Sequence, residues 1–235
     1  MSVLNTVPVP THGPITMVAP GLWEVRATLT FPPMPRSMAI HRLPDGTLWL
    51  HSVITLDDPQ REALEALGPI GIIVVPSPMH RMDARAYRER YPEATVLCPE
   101  AARPAVERVV PVDGTCEAVL PGRGVICHQA DGLKPTELVY ELALGGGAAL
   151  IFCDAVFHLP NQPGCAGQWM RWIGSTGFFG TTWIGRRLLD DRVRWRQWLE
   201  QQSERQDLSA LHMAHGEPIT VDCAQHLRAA AARLA

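Results

Sequence analysis

Three residues able to hold a metal ion or move a proton follow apolar runs in this chain. His80 stands on the loop PSPMHRMDA, just after IIVV (72–75). Asp154 closes AALIFCD (148–154), and His215 closes LSALHMAH before Gly216. They lie 74 and 61 positions apart (154 − 80, 215 − 154). Imidazole nitrogen and carboxylate oxygen are ordinary ligands for zinc, iron or manganese. Residues at strand ends gather at one rim of a sheet, where sites are built. Two His and one Asp could therefore hold one ion and leave a position open for water.

Other residues could join them. Asp83, three positions after His80, could be a further ligand or the N-cap of the helix ARAYRERY. His158, four positions past Asp154, could serve as a general base or be a solvated loop residue. Trp169, Trp172, Phe178, Phe179 and Trp183 fall in one irregular insert. They could line a substrate pocket, form a dimer surface or pack on the core as a lid. Plainer readings exist for the first three as well. His80 could end its strand on a backbone carbonyl, Asp154 could cap a turn, and His215 could be a turn residue.

Four other histidines and Cys153 read as structural. His41, His51 and His128 sit in strand patterns, and His212 alternates away from His215. Alternation also puts Cys153 on the strand face opposite Asp154, in the core. Trp195 and Trp198, three apart, share one helix face, as core residues do.

The elements that must position these residues come in two β-rich halves. In the first, LWEVRATL (22–29) alternates as a half-buried strand does. The prolines of FPPMPR then break the chain. SMAIHRL (37–43), the turn PDG and TLWLHSVI (47–54) form a hairpin. A helix over 59–67 follows, capped by Asp58, and then the buried strand IGIIVV (70–75). A helix over 83–91, the strand ATVLC (94–98) and a short helix over 99–109 complete this half.

The second half is predicted to hold strands over 115–120, 124–129, 136–144 and 148–154, with GGG turning between the last two. The insert covers 155–189, and helices follow over 190–202 and 221–234, separated by the strand 208–216. Residues 1–14, rich in Pro and Thr, form a loose arm. Several strands in succession without helices fit a doubly wound sheet poorly. They suit an α/β protein of the four-layer α/β/β/α sandwich type, as one domain over 1–235.

Composition narrows the function classes. The 235 residues are 46% hydrophobic, enough for a sizeable core. Net charge is only −3, and Lys134 is the sole lysine. No basic block points to nucleic acid or to an anionic membrane. Cysteines at 98, 116, 127, 153, 165 and 223 form no CxxC pair. With no signal-peptide pattern and no long apolar run, a cytoplasmic protein with reduced thiols is expected.

In order and style the chain resembles the metallo-β-lactamase superfamily, roughly from Leu22 to Leu234. It is most similar to a branch marked by RLPDGTLWLHS and by a YPEA segment at Tyr91–Ala94. The resemblance implies a His-x-His-x-Asp-His loop, a bridging Asp at a later strand end, and a last His before Gly. His80 takes the loop's second His, Asp154 the bridging Asp and His215 the last His. Pro78, Met82 and Asp83 replace the loop's first His, its Asp and its final His, and Leu133 replaces the His of a third motif. Met82 cannot accept a proton, so the family's water-orienting Asp is missing.

What remains implies one ion at most, zinc, iron or manganese, on His80, Asp83, Asp154 and His215. Two functions are open. One is a mononuclear metal-dependent hydrolase of a small ester, lactone or amide, with His158 as base. The other is a metal-free scaffold that binds a small apolar ligand or a protein partner through the aromatic insert.

Overall fold

The computed structural model describes residues 9–29, 34–161, 163–172 and 174–235, with only the backbone at 166, 167, 169 and 170. Residues 1–8 of the expected N-terminal arm lie outside the described residues. Seven strands form one sheet in chain order. They are β1 (Thr16–Ala19), β2 (Leu22–Thr28), β3 (Pro35–Arg42), β4 (Leu48–His51), β5 (Ile70–Val74), β6 (Thr95–Cys98) and β7 (Gly114–Thr115). The pairs from β1 to β4 are antiparallel, and those from β4 to β7 are parallel.

The second sheet uses β8 (Val125–His128), β9 (Val139–Leu144), β10 (Gly147–Phe152) and β13 (Leu208–Met213), in the order β13-β10-β9-β8. Between them in sequence, β11 (Phe157–Leu159) and β12 (Phe178–Gly180) pair as a small antiparallel ribbon. The helices are α1 (Asp58–Leu67), α2 (Ala84–Arg90), α3 (Arg103–Val106), α4 (Cys116–Val119), α5 (Gly164–Trp172), α6 (Arg192–Gln202) and α7 (Cys223–Ala232). None of the described helices is long and apolar enough to cross a membrane.

Strand alternation divides the apolar side chains among three layers. On β4, Leu48 and Leu50 face α1 and α2 through Leu64, Ala84 and Tyr87. Between them Trp49 faces the other way, toward Tyr140 of β9. On β10, Ala149 and Ile151 join this middle layer, while Leu150 and Phe152 pack on Trp195, Leu199 and Leu227 of α6 and α7. Helices, sheet, sheet and helices therefore stack as an α/β/β/α sandwich, with each sheet covered on both faces. Each buried Leu or Ile contributes roughly 1.5–3 kcal/mol, so the pattern is strongly held in register.

Two local expectations are corrected. Asp57, not Asp58, caps α1: its carboxylate accepts from Gln60 N at 3.0 Å. Asp58 lies one position on and pairs with Arg61 instead. Of the strand expected over 115–120 only Thr115 is extended, at the end of β7. After Thr115 the chain turns into α4, because Cys116 and Leu120 are buried at a spacing of four with Glu117 and Ala118 exposed between them. That spacing matches a helix, not a strand.

Candidate metal centre

Four chain segments converge at the rim where β4, β5, β10 and β13 end. After β5 the chain turns at Ser77, which accepts from His80 N through its carbonyl at 3.2 Å. The Ser77 hydroxyl accepts from Met79 N at 3.2 Å and donates to Asp154 Oδ2 at 3.2 Å. Beside it, Ser52 follows β4 with φ +59°, in the left-handed region that non-glycine residues seldom adopt. This strained backbone sets the Ser52 hydroxyl 2.6 Å from His80 Nδ1.

Asp154 rides on a bend that begins at Cys153, just past β10. Fully buried Glu137 holds the bend: its Oε1 accepts from Ala155 N at 2.6 Å, and the amides of Asp154 and Cys153 also face it. Burial, aided by the Asp154 charge, pushes the Glu137 carboxyl well up despite those amides. Its Oε2 has no partner among the described residues.

His215 follows β13 and is fixed on three sides. Its Nδ1 lies 2.7 Å from the Pro35 carbonyl, which can only accept, so Nδ1–H donates there. Phe157 stacks flat on the ring, at 5.0 Å and 11°. Behind it His158 N donates to His215 O at 3.0 Å, and Glu217 N donates to His158 O at 3.0 Å. This close approach requires Gly216, where φ is +118° and an added Cβ would lie 2.1 Å from the His158 carbonyl oxygen.

The inward-facing atoms form a tight triangle. His80 Nε2 and His215 Nε2 each lie 3.0 Å from Asp154 Oδ1, and 3.3 Å from one another. Two ligands of a tetrahedral zinc, each about 2.1 Å from it, stand about 3.4 Å apart. The triangle fits one face of such an ion. With Nδ1–H committed to Pro35, His215 presents Nε2 inward, toward a carboxylate oxygen, as a lone pair in the neutral ring and as an N–H donor in the protonated one. Either protonated imidazoles paired with the carboxylate or a bound cation reconciles these atoms, and outward anchoring of each imidazole is the usual support for a metal-binding His. Burial pushes the Asp154 carboxyl up, but the charges and hydrogen bonds of His80 and His215 outweigh it and hold it well below the usual carboxylate range.

No protein-family model matches the chain, and no curated protein matches it. Solved structures do. The mono-zinc form of the metallo-β-lactamase FIM-1 from Pseudomonas aeruginosa superposes with TM-score 0.62 at 13% identity, over 96% of this chain and 97% of that one. DIM-1 metallo-β-lactamase gives 0.65 at 11%, over 97% and 100%. A metallo-β-lactamase from Hirschia baltica gives 0.59 at 16%, over 93% and 98%. The fold is that of the metallo-β-lactamases.

Within this metallo-β-lactamase fold the other expected site residues go elsewhere. Asp83 does not join the triangle. Its Oδ2 accepts from Arg36 Nη2 at 2.6 Å and its Oδ1 from Thr55 Oγ1 at 2.6 Å, so both oxygens are engaged. Nor does it cap α2, since its side chain bonds no helix amide. His158 turns away from the centre. Alternation along β11 gives Phe157 the inner face, and the His158 ring meets Phe179 and His226, with Nδ1 2.7 Å from Glu217 O. That position does not suit a base for the triangle.

The aromatic set is also split. Phe179 is buried in the core against Phe152. Trp172 is 84% exposed on α5, and the Trp169 side chain lies outside the described residues. Phe178 and Trp183 line one surface pocket.

Two residues enter that sequence reasoning set aside. Donor atoms of His80, Cys153 and Asp154 all lie within 4.8 Å of one another. The strand ends at Phe152, so alternation no longer governs Cys153. Burial pushes its thiol well up, with the Asp154 and Glu137 charges adding to it. His51, fully buried in the middle layer, stacks on Trp49 at 5.5 Å, and both ring nitrogens lack a partner among the described residues. Burial holds its pKa well below the usual value, so it stays neutral beneath the site.

Proposed function

We propose that this chain is a metal-dependent hydrolase with a single ion held by His80, Asp154 and His215. The observation that carries this reading is the triangle of Nε2, Nε2 and Oδ1 atoms at 3.0–3.3 Å, with both imidazoles anchored from behind. Zinc, iron or manganese suits two imidazoles and a carboxylate. Cys153 would add a soft donor that favours zinc among these. A divalent ion bound there would supply Lewis-acid polarisation and lower the pKa of water.

The chain's own residues do the rest. Asp154 Oδ2 accepts from the Ser77 hydroxyl, which fixes the carboxylate so that it can accept a hydrogen bond from, and orient, an attacking water in place of the missing loop Asp. Met79 and Met82 flank His80 and are 76% and 54% exposed. They give the mouth an apolar, adaptable rim. This suits a small ester, lactone or amide with an apolar body.

The test is elemental analysis of protein purified without a histidine tag. About one equivalent of zinc, iron or manganese is expected in the wild type and near none in His215→Ala, with esterase activity lost in parallel. Unchanged metal in the variant would overturn the reading.

One observation favours the second reading, a scaffold without metal chemistry. Asp83 is closed off by Arg36 and Thr55, and Leu133 is buried in the core on the helix side of the second sheet. On that reading a chelator leaves the melting temperature unmoved, because nothing that binds only the native state is removed.

A further inference from the structure

A second place in the molecule is built for a ligand of a different kind. The insert and the last helix enclose a surface pocket of about 360 Å³, lined by Gly174, Phe178, Thr181, Trp183, Arg186 and Arg233. That is within the range of small-molecule sites. Among the described residues, no carboxylate lines it. Among the described residues, none lies within ion-pair distance of Arg186, Arg187 or Arg233, and none of these side chains bonds a protein acceptor. Elsewhere on this chain most arginines have such a partner: Arg88, Arg103, Arg123 and Arg205 each pair with an acid.

Two of the three unpaired guanidiniums are nevertheless held in place. Arg233 lies 3.6 Å over the Phe178 ring, and Arg187 lies 4.8 Å over Trp183. Stacking occupies a guanidinium's flat face and leaves its N–H edge pointing outward, ready for a two-point bond to an oxyanion. Two cations brought to one pocket without a counter-charge repel, and an anion between them relieves that repulsion. The exposed Trp183 ring offers an apolar surface beside them.

We infer that this pocket binds a small organic anion, with Arg186 and Arg233 on the charged group and Trp183 against a flat apolar body. Gly185, the residue before Arg186, packs against the turn described above. An added Cβ at Gly185 would lie 3.0 Å from Asp154 O, 2.9 Å from Ala155 O and 3.2 Å from the Thr181 methyl. Thr181 itself lines the pocket and accepts from Trp195 Nε1 at 2.9 Å. The site shares no lining residue with the triangle and does not rest on the hydrolase reading.

The test is calorimetric titration of the full chain with phenyl phosphate, benzyl alcohol and inorganic phosphate, each alone. Phenyl phosphate is expected to bind one per chain, at least tenfold tighter than either other probe. The double variant Arg186→Gln/Arg233→Gln is expected to weaken it at least tenfold while melting as the wild type does, since both side chains are exposed. Absence of saturable binding, equal binding of benzyl alcohol, or unchanged affinity in the double variant would each overturn the inference. The comparison of probes needs no variant, so it stands even if the double variant folds badly. Metal content plays no part in the readout, which keeps this test independent of the hydrolase proposal.

Discussion

The loop from Ser77 to Asp83 feeds two polar groups of opposite character. At one end His80 joins Asp154 and His215 in a triangle of two imidazole nitrogens and one carboxylate oxygen that face each other. At the other end Asp83 is closed by Arg36 and Thr55, every strong acceptor matched to a donor. β3 serves both, with the Pro35 carbonyl on His215 and the Arg36 side chain on Asp83. In the closed group both carboxylate oxygens are satisfied by side chains of the chain itself. The open one turns three atoms of metal-ligand type toward one point, and this separates a structural ion pair from a candidate metal site.

The largest expected effect falls on the open group. His80→Ala or Asp154→Asn should lower metal affinity by at least a hundredfold, read by dialysis against competing chelator, because each removes one of three ligands. Asp83→Ala should leave metal affinity within a few-fold. Equal losses at Asp83 and at His80 would abolish the distinction between the two groups.

The closed group answers in stability. Asp83→Ala strands the buried Arg36 charge and should cost about 3–5 kcal/mol in denaturant unfolding. Replacing both, as Arg36→Met with Asp83→Leu, should cost less than Asp83→Ala alone, since no uncompensated charge remains. A double variant worse than the single would mean that Arg36 serves the site directly.

Acid sharpens the same contrast. The Asp154 carboxyl is held below its unfolded value, so the folded state binds fewer protons than the unfolded chain. The stability this adds is complete above about pH 3.9, the ordinary Asp value, and is lost as pH falls from there through the folded pKa. In metal-free protein the wild type should lose melting temperature over that window, and Asp154→Asn should flatten that part of the curve. A parallel curve for the variant would show that Asp154 is not the group responsible.

Much of this was legible in the chain. The alternation of Ala149 and Ile151 with Leu150 and Phe152 fixes two covered faces, and two β-rich halves then imply the sandwich. His80, Asp154 and His215 stood out because each follows an apolar strand. Cys153 was lost because alternation was carried one residue past the strand's end. Arg36 was invisible because its partner lies 47 positions away, and the run that contains it read as a chain break. For His158 the sequence names no inner face: Phe157 and His158 compete for it, and the apolar ring stacks on His215. The 115–120 segment failed because two-residue and four-residue burial look alike over six positions.

The smallest effects compare two hydroxyls, one in each group. Ser52 bonds His80 in the open group, and Thr55 bonds Asp83 in the closed one. Thr55→Ala should cost about 1 kcal/mol of stability, the usual net worth of one hydrogen bond, and leave metal affinity unchanged. Ser52→Ala loses a similar bond, yet its larger effect should be a tenfold to hundredfold drop in metal affinity, as for other groups that orient a ligating imidazole. Ser52→Gly separates the bond from the backbone. At φ +59° glycine adopts the left-handed conformation without steric cost, so this variant should unfold at higher denaturant than Ser52→Ala while binding metal equally poorly. If glycine restored affinity, the strained backbone would be what orients His80; if neither variant lost affinity, the hydroxyl would be incidental and the imidazole would be held by the triangle alone.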